Sequence, residues 1–468
     1  MIRARITLAL FLTMFAAAQA TAGEAGRRPS ILFLYSDDQR ADTIAALGNP
    51  NLRTPNLDAL TRSGTALTRA YCNGARQGAV CVPSRAMLLS GRGLFRVQEQ
   101  LQGQDTWPAA FGRAGYATFA TGKWHNGPAS LVKSFQKAEA IFLGGMGDPY
   151  MLPLQDLAPD GTFVNKRLSG EHSVKLFADA ASRFISAQAG DAPFLCYVAF
   201  NFPHDPRTAP AEYRAKYRDG AIPLPANYLP EHPFDNGELL VRDERLAPWP
   251  RTPQVVRRNL ADYYASIEYL DAQVGRILDA LRDAGRIEDT IVVYAGDHGL
   301  AIGSHGLFGK QNLYEHSMRS PVILAGPGVP AARKVDAFAY LHDLFPTLGE
   351  LAGVAGPEGG EGLSLVPVFQ GREPTRRPDL FTAYRHLQRA VRDDRWKLIV
   401  YPRINKLQLF DLQADPAELH DLASDPAHAR EVARLTALLR QRQAEAGDDL
   451  PLRSEQPEPE AFDFSKVR

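Results

Sequence analysis

Four short apolar runs, each ending abruptly at polar, chemically capable side chains, stand out along the chain. Residues 31–35 (ILFLY) run into Asp37 and Asp38, and residues 116–120 (YATFA) into Lys123, Trp124 and His125. Residues 194–200 (FLCYVAF) run into Pro203, His204 and Asp205, and residues 291–295 (IVVYA) into Asp297 and His298. Unbroken apolar runs suit strands buried on both faces, which is the habit of parallel sheets covered by helices. The pattern therefore predicts an α/β fold with a large, mostly parallel sheet sandwiched by helices. Ligands of such sheets gather beyond the carboxyl ends of the strands, so the four polar clusters are expected to share one rim.

Between residues 260 and 281, Ile267, Leu270, Val274, Ile277, Leu278 and Leu281 recur at helical spacing, and Gly285 follows as a stop. This predicts a crossover helix with a packing role. Residues 127–170 and 206–253 are broken by Pro, Gly and polar residues and predict long, substrate-facing loops. Beyond about residue 371 the texture changes. Short strand candidates at 380–385, 388–392, 396–401 and 407–412, then a helix over 427–444, predict a small antiparallel sheet with one helix. The organisation expected is a leader at 1–22, a catalytic unit over 27–371 and a C-terminal α+β subdomain over 372–468.

Charge and composition narrow the function. Lys plus Arg and Asp plus Glu each number 53, so no global field recruits nucleic acid, and positive charge for an anionic partner must be local. The first residues, MIRAR and then ITLALFLTMFAAAQA, form a basic start, an apolar stretch and a small-residue end, as a cleaved export signal requires. Export to a periplasmic or extracellular space follows, with no membrane association after cleavage. In an oxidising compartment the odd set Cys72, Cys81 and Cys196 leaves at least one thiol unpaired.

Cys81 opens the run CVPSRAMLLSGR. Pro83 suits a first helical turn, which puts Cys81 just ahead of it near the positive end of the helix dipole, with Arg85 about one period on. The pattern C-x-P-S-R followed by L-S-G-R, with Cys81, Pro83, Ser84, Arg85, Leu89, Gly91 and Arg92 in place, resembles the signature of type I sulfatases, in which this cysteine is oxidised to formylglycine. Ser36 to Arg40 and Gly296 to Gly299 are similar to the family's two metal motifs, with His298 where many members carry Asn. Thr121 to His125, Pro203-His204, and Gly309-Lys310 before Tyr314-Glu315 match further active-site segments in order, and Asp411-Leu412 with Asp415 to Glu418 resembles the C-terminal part.

The resemblance implies an alkaline-phosphatase-like fold and a sulfatase acting on a sulfate ester, on a sulfated carbohydrate above all. Asp37, Asp38, the converted Cys81 and Asp297 would hold one divalent cation. Hard oxygen donors suit Ca²⁺ or Mg²⁺, with Ca²⁺ preferred, and His298 would add a nitrogen or only a hydrogen bond. Conversion of Cys81 implies a formylglycine-generating enzyme as a maturation partner. The catalytic set it implies is Cys81, Arg85, Lys123, His125, His204 and Lys310: a diol at position 81 attacks sulfur, His204 protonates the leaving oxygen, the three cations offset charge, and His125 accepts the last proton. Two other functions fit the same residues, a phosphonate monoester or phosphodiester hydrolase and a non-catalytic binder of sulfated glycans with Cys81 unconverted or bridged to Cys72. Gln39, His305 and His316 are near these motifs only in sequence, Glu315 and Arg319 read as a helix pair, and Trp124, Tyr150, Met151 and Arg207 as side chains that either line subsites or pack.

Overall fold

The computed structural model describes residues 27–188 and 190–466, so the expected leader lies outside the described residues. Its centre is a ten-stranded sheet in which the four apolar runs lie side by side. They form β1 (Ser30–Ser36), β2 (Ala117–Lys123), β3 (Phe194–Ala199) and β4 (Thr290–Gly296). β1 pairs in parallel with both β3 and β4, and β2 pairs in parallel with β3. All four carboxyl ends therefore point the same way, as expected.

The side chains of β1 alternate between two cores. Ile31, Phe33 and Tyr35 join Ala86, Leu89 and Phe345 on one face. Leu32 and Leu34 join Phe177, Leu270 and Val274 on the other. Helices thus cover both faces, which is why these strands carry no polar alternation.

The predicted crossover helix is longer than its apolar spacing indicated. It spans Pro253–Asp283, with Thr252 Oγ1 accepting from the Val255 N–H and Pro253 in the first turn. One of its residues does more than pack: the Tyr263 hydroxyl donates to the Asp38 carbonyl at 2.7 Å.

The expected loop over 127–170 is corrected. It holds a helix, Pro128–Ser134, and three strands, Lys137–Phe142, Pro153–Leu157 and Phe163–Leu168, that extend the sheet beyond β2. The last of these is mostly exposed, so its polar residues FVNKRL conceal a strand at the sheet edge. Residues 206–253 are largely irregular, but they are not simply substrate-facing: His232, Glu238, Asp243, Glu244 and Arg251 are buried.

The late strand candidates form a second sheet of Leu380–Tyr384, Gln388–Arg392, Trp396–Tyr401 and Lys406–Asp411, antiparallel throughout, with the helix Ala429–Ala446 packed on it. A two-residue strand from early in the chain, Gly74–Ala75, joins its edge in parallel. Among the described residues, no helix is long and apolar enough to cross a membrane.

Candidate active site

Cys81 begins the helix α1 (Cys81–Ser90), rather than preceding it, and every residue of α1 is buried. Ala86, Leu88 and Leu89 pack in the same core as Ile31, Phe33 and Tyr35 of β1, while the first turn of α1 lies at the strand carboxyl ends beside Asp297. Gly91, at φ 70°, closes it by donating its N–H to the Met87 carbonyl. Two motif residues fasten its first turn: Ser84 Oγ donates to the Asp297 carbonyl at 2.7 Å, and Arg85 Nη2 lies 3.2 Å from Asp297 Oδ2. The Arg85 guanidinium also sits over the Tyr35 ring and 3.5 Å from Asp37 Oδ1. Its hydrogen bonds go to the carboxylate and the Lys123 carbonyl.

The Cys81 sulfur is met by side chains from β2. His125 Nδ1 is 3.3 Å away and Lys123 Nζ 3.7 Å away. His125 holds a left-handed backbone, φ 58°, and Gly145 packs so closely that a Cβ there would stand 2.6 Å from the imidazole. A non-glycine residue in that conformation is costly and concentrates at functional sites. Asp38, at φ 61°, is a second case. Its N–H donates to Asp297 Oδ1 at 3.0 Å while its carbonyl accepts from Tyr263, so the strained turn is fixed from both sides.

The three carboxylates lie beside the sulfur with one cation each: Lys123 on Asp37, Lys310 on both oxygens of Asp38 at 2.7 and 3.0 Å, and Arg85 on Asp297. His204 Nε2 is 3.7 Å from Asp38 Oδ2, and its Nδ1 is 2.8 Å from the Asp205 carbonyl. All ten residues singled out from sequence as catalytic or metal-binding are thus brought together. Burial would push the Cys81 thiol up, but the charges of Lys123 and Lys310, with the contact to His125, outweigh it and hold the group well below its usual value. For Asp37 burial is likewise overcome, by Lys123 and Arg85, and the carboxyl is held well down. Asp297 goes the other way: burial drives it up to about 7 despite His298 and Arg85.

This donor set fits a hard divalent cation. Ligand atoms of Asp38, Asp297 and His298 lie within 4.8 Å of one another. Asp37 Oδ1 and His298 Nε2 are buried without a hydrogen-bond partner, which is costly unless something else satisfies them.

Other candidates fall away from this cluster. Gln39 bonds Thr43 and Tyr294. His305 stacks on Tyr314, and its Nε2 lies 2.9 Å from the Glu418 carbonyl. His316 contacts His305 and Ser317. The Glu315–Arg319 pair forms at 3.9 Å, but the helix ends at Met318, and Glu315 is held more closely by Lys397 and Arg392 of the second sheet. Trp124 is core, with its indole N–H bonded to the Ser130 hydroxyl. Tyr150 packs on His172, Met151 is exposed, and Arg207 lies over the Tyr263 ring. Cys72 and Cys196 are free, buried thiols, so no bridge ties up Cys81. Sequence reasoning passed over Tyr263 and the 242–244 segment; neither carries a local pattern, and only the fold brings them near Asp38 and Lys310.

A family model described as Sulfatase matches residues 29–354, and one described as N-sulphoglucosamine sulphohydrolase, C-terminal, matches residues 303–445. The chain is 29% identical over 450 residues to a choline-sulfatase of Rhizobium meliloti, covering 88% of this chain and 85% of that one. It is 25% identical over 508 residues to an N-acetylglucosamine-6-O-sulfatase of Bacteroides thetaiotaomicron, covering 92% and 88%. Among solved structures, one in complex with its substrate D-glucosamine-2-N,6-O-disulfate superposes with a TM-score of 0.76 at 23% identity, over 92% of this chain and 100% of that one. The phosphonate monoester hydrolase of Agrobacterium radiobacter gives 0.72 at 22% identity, over 90% and 96%. At these identities the two structures speak for the fold.

Proposed function

The chain belongs to the sulfatase family and is a sulfuric ester hydrolase, and from that premise we propose that, as an exported enzyme, it removes sulfate from a sulfated carbohydrate by means of a formylglycine made from Cys81 beside a bound Ca²⁺. The observation that carries this reading is the convergence on the Cys81 sulfur of Lys123 and His125, next to three carboxylates, with Asp37 Oδ1 and His298 Nε2 left without a partner. The sulfur stands where the oxygens of the converted residue would be. Asp37, Asp38 and Asp297, with position 81 and His298, would hold the cation. When bound, Ca²⁺ would supply fixed positive charge that acidifies a nearby hydroxyl and draws in an anionic ester.

The chain's own residues then divide the work. The hydrated aldehyde at position 81 carries two hydroxyl groups on one carbon. One of them, having given up its proton to solvent, attacks the sulfate sulfur through its oxygen, the S–O bond to the sugar breaks, and His204 gives a proton to the departing oxygen. Lys123, Lys310 and Arg85 already balance the three carboxylates, so a divalent cation leaves the site net positive for an anionic transition state. His125, 3.3 Å from the sulfur position, then takes the proton of the second hydroxyl; the C–O bond to sulfate breaks and the aldehyde returns. The relatives that act on N-acetylglucosamine 6-O-sulfate and on choline sulfate support a sulfate ester as the bond broken, and the amino-sugar relative supports a carbohydrate as the group released.

The test is mass analysis of the peptide carrying residue 81, in protein matured by a formylglycine-generating enzyme, together with inorganic sulfate release from a panel of defined sulfated oligosaccharides. An aldehyde at 81 is expected, with sulfate release that is lost on chelation and in Cys81→Ala, while the circular dichroism of the variant stays that of the parent. Protein with an intact thiol at 81 that still releases sulfate would refute the aldehyde chemistry. Release from small sulfate esters but from no sugar would refute the substrate class.

A further inference from the structure

Three consecutive residues of the irregular 206–253 segment end on two different parts of the site. Arg242 donates to both carboxylate oxygens of Asp205, and Asp205 Oδ1 lies 3.3 Å from His204 Nδ1. Asp243 Oδ2 accepts from Gln311 Nε2 at 2.8 Å and lies 3.9 Å from Lys310 Nζ. Gln311 Oε1 in turn accepts the Lys310 N–H at 3.0 Å. Glu244 Oε1 accepts the Gly309 N–H at 2.7 Å, and both its oxygens are within 3.1 Å of the Phe308 nitrogen.

These contacts have a cost that simple packing would not require. Glu244 is 3% exposed and Arg251, which bonds its Oε2 at 2.7 Å, is 0% exposed. A buried ion pair gives little net stability compared with apolar residues of the same shape, so its retention calls for another reason. The peptide it holds gives one. Gly309 comes so close that a Cβ there would stand 2.9 Å from the Asp243 Cβ and 3.1 Å from Glu244 Oε1. Charge-assisted bonds to two successive N–H groups fix the backbone at 308–309, and hence where Lys310 leaves the chain to reach Asp38.

We propose that Arg242, Asp243 and Glu244 form a positioning strap that sets Lys310 and His204 against the same carboxylate, Asp38. This rests on the reading of Lys310 and His204 as residues that act on the bound ester. The strap residues touch no substrate: they act through the two side chains they hold.

The test uses the full-length matured enzyme with 4-nitrophenyl sulfate as probe, and amide hydrogen exchange of the same protein. Glu244→Gln keeps the shape but removes the charge and puts an NH₂ in place of one oxygen, against the N–H groups of 308 and 309 in one orientation and against the Phe308 N–H and Arg251 in the other. Exchange in the peptide spanning 308–312 is expected to accelerate at least about 10-fold, with the sheet strands unchanged. kcat/KM is expected to fall roughly 10- to 100-fold in the parent background but less than about 2-fold in a Lys310→Ala background, since coupled residues are non-additive. Retained protection of 308–312, or a loss that is the same in both backgrounds, would overturn the strap even where Lys310→Ala is itself inactive. Near-full turnover by Lys310→Ala would instead sink the reading of Lys310, and these two failures are distinct. Should Glu244→Gln not fold, Arg242→Gln serves, because the Arg242 side chain is 43% exposed. Its loss of kcat/KM, read on an alkyl sulfate whose leaving oxygen needs a proton, is expected to vanish in a His204→Ala background, and an additive loss there would overturn the proposal.

Discussion

His204 faces a different group with each ring nitrogen. Nδ1 is 2.8 Å from the Asp205 carbonyl and Nε2 is turned toward Asp38, 3.7 Å away. A ring whose Nδ1–H is held by a carbonyl presents Nε2 to the site, the geometry a proton donor to the leaving oxygen needs. His204→Ala is therefore expected to lower kcat for sugar and alkyl sulfates by about 10²- to 10⁴-fold, and to lower it far less for 4-nitrophenyl sulfate, whose leaving group departs without a proton. Steady-state kinetics on both substrates decides it: equal losses would remove His204 from the leaving-group side. At this scale the candidate site was unusually legible. Asp37, Lys123, His204 and Asp297 each follow an apolar strand closely enough for position alone to mark them. Lys310 follows no such run, and only its agreement with the order of a family motif singled it out. Tyr263 and Glu244 were invisible for opposite physical reasons. The first sits in an amphipathic helix where an aromatic residue reads as core, and the second in a stretch without period, bonded to backbone 64 and 65 positions away.

Elements turn those residues into a site, and the ends of strands matter more than their middles. The last residue but one of β2 is Gly122, at φ 97°, where an added Cβ would stand 1.9 Å from the Ala199 carbonyl of β3. The neighbouring backbone cannot yield, so Gly122→Ala combines a left-handed penalty of about 1 to 2 kcal/mol with a backbone clash. Lys123, the next residue, would be displaced from Asp37 and from position 81. The expected result is a lowered melting temperature together with loss of sulfate release; a variant with the parent's melting temperature and turnover would show that the strand end has slack. The central strands were readable because two-sided burial leaves no polar interruption, as in residues 31–35 and 291–295. The strands Lys137–Phe142, Pro153–Leu157 and Phe163–Leu168 were not, because toward the sheet edge burial falls and polar residues return, which makes a strand look like a loop. The late antiparallel strands were readable to within one or two residues, since turn signals such as Asp393-Asp394 punctuate them; the parallel addition of Gly74–Ala75 had no local signal at all.

Across the whole molecule, polar chemistry has been carried into the interior on a scale that ties stability to pH. The two sheets meet at a buried network in which Lys397 bonds both Glu315 and Glu418, while the Tyr71 hydroxyl and Arg392 bond Glu315. Histidines are buried too. Burial pushes His172, His305 and His342 down to about 4 and His232 to about 3, and holds His316 well below its usual value, so all five fold in neutral form. The sign follows from which state binds the proton. An unfolded histidine takes one near its ordinary value of about 6.5, the folded one only near 4 or below, so acidification favours the unfolded chain. Stability is full above about pH 6.5 and is lost progressively as pH falls to about 4, by about 1.4 kcal/mol per pH unit for each such histidine. Carboxyls raised by burial oppose this, Asp297 at about 7 and Asp271 at about 6 among them, but the five imidazoles together outweigh these two. The melting temperature should therefore drop steeply between pH 6.5 and 4. His172 offers the cleanest check, since it caps the helix Ser173–Ser186 by accepting the Val174 N–H through Nδ1. His172→Asn keeps a capping acceptor and removes the titration, so its unfolding free energy should fall less with acid than the parent's, the gap widening from pH 6.5 downward. Parallel profiles for the two proteins would mean that His172 takes up its proton equally well in the folded state.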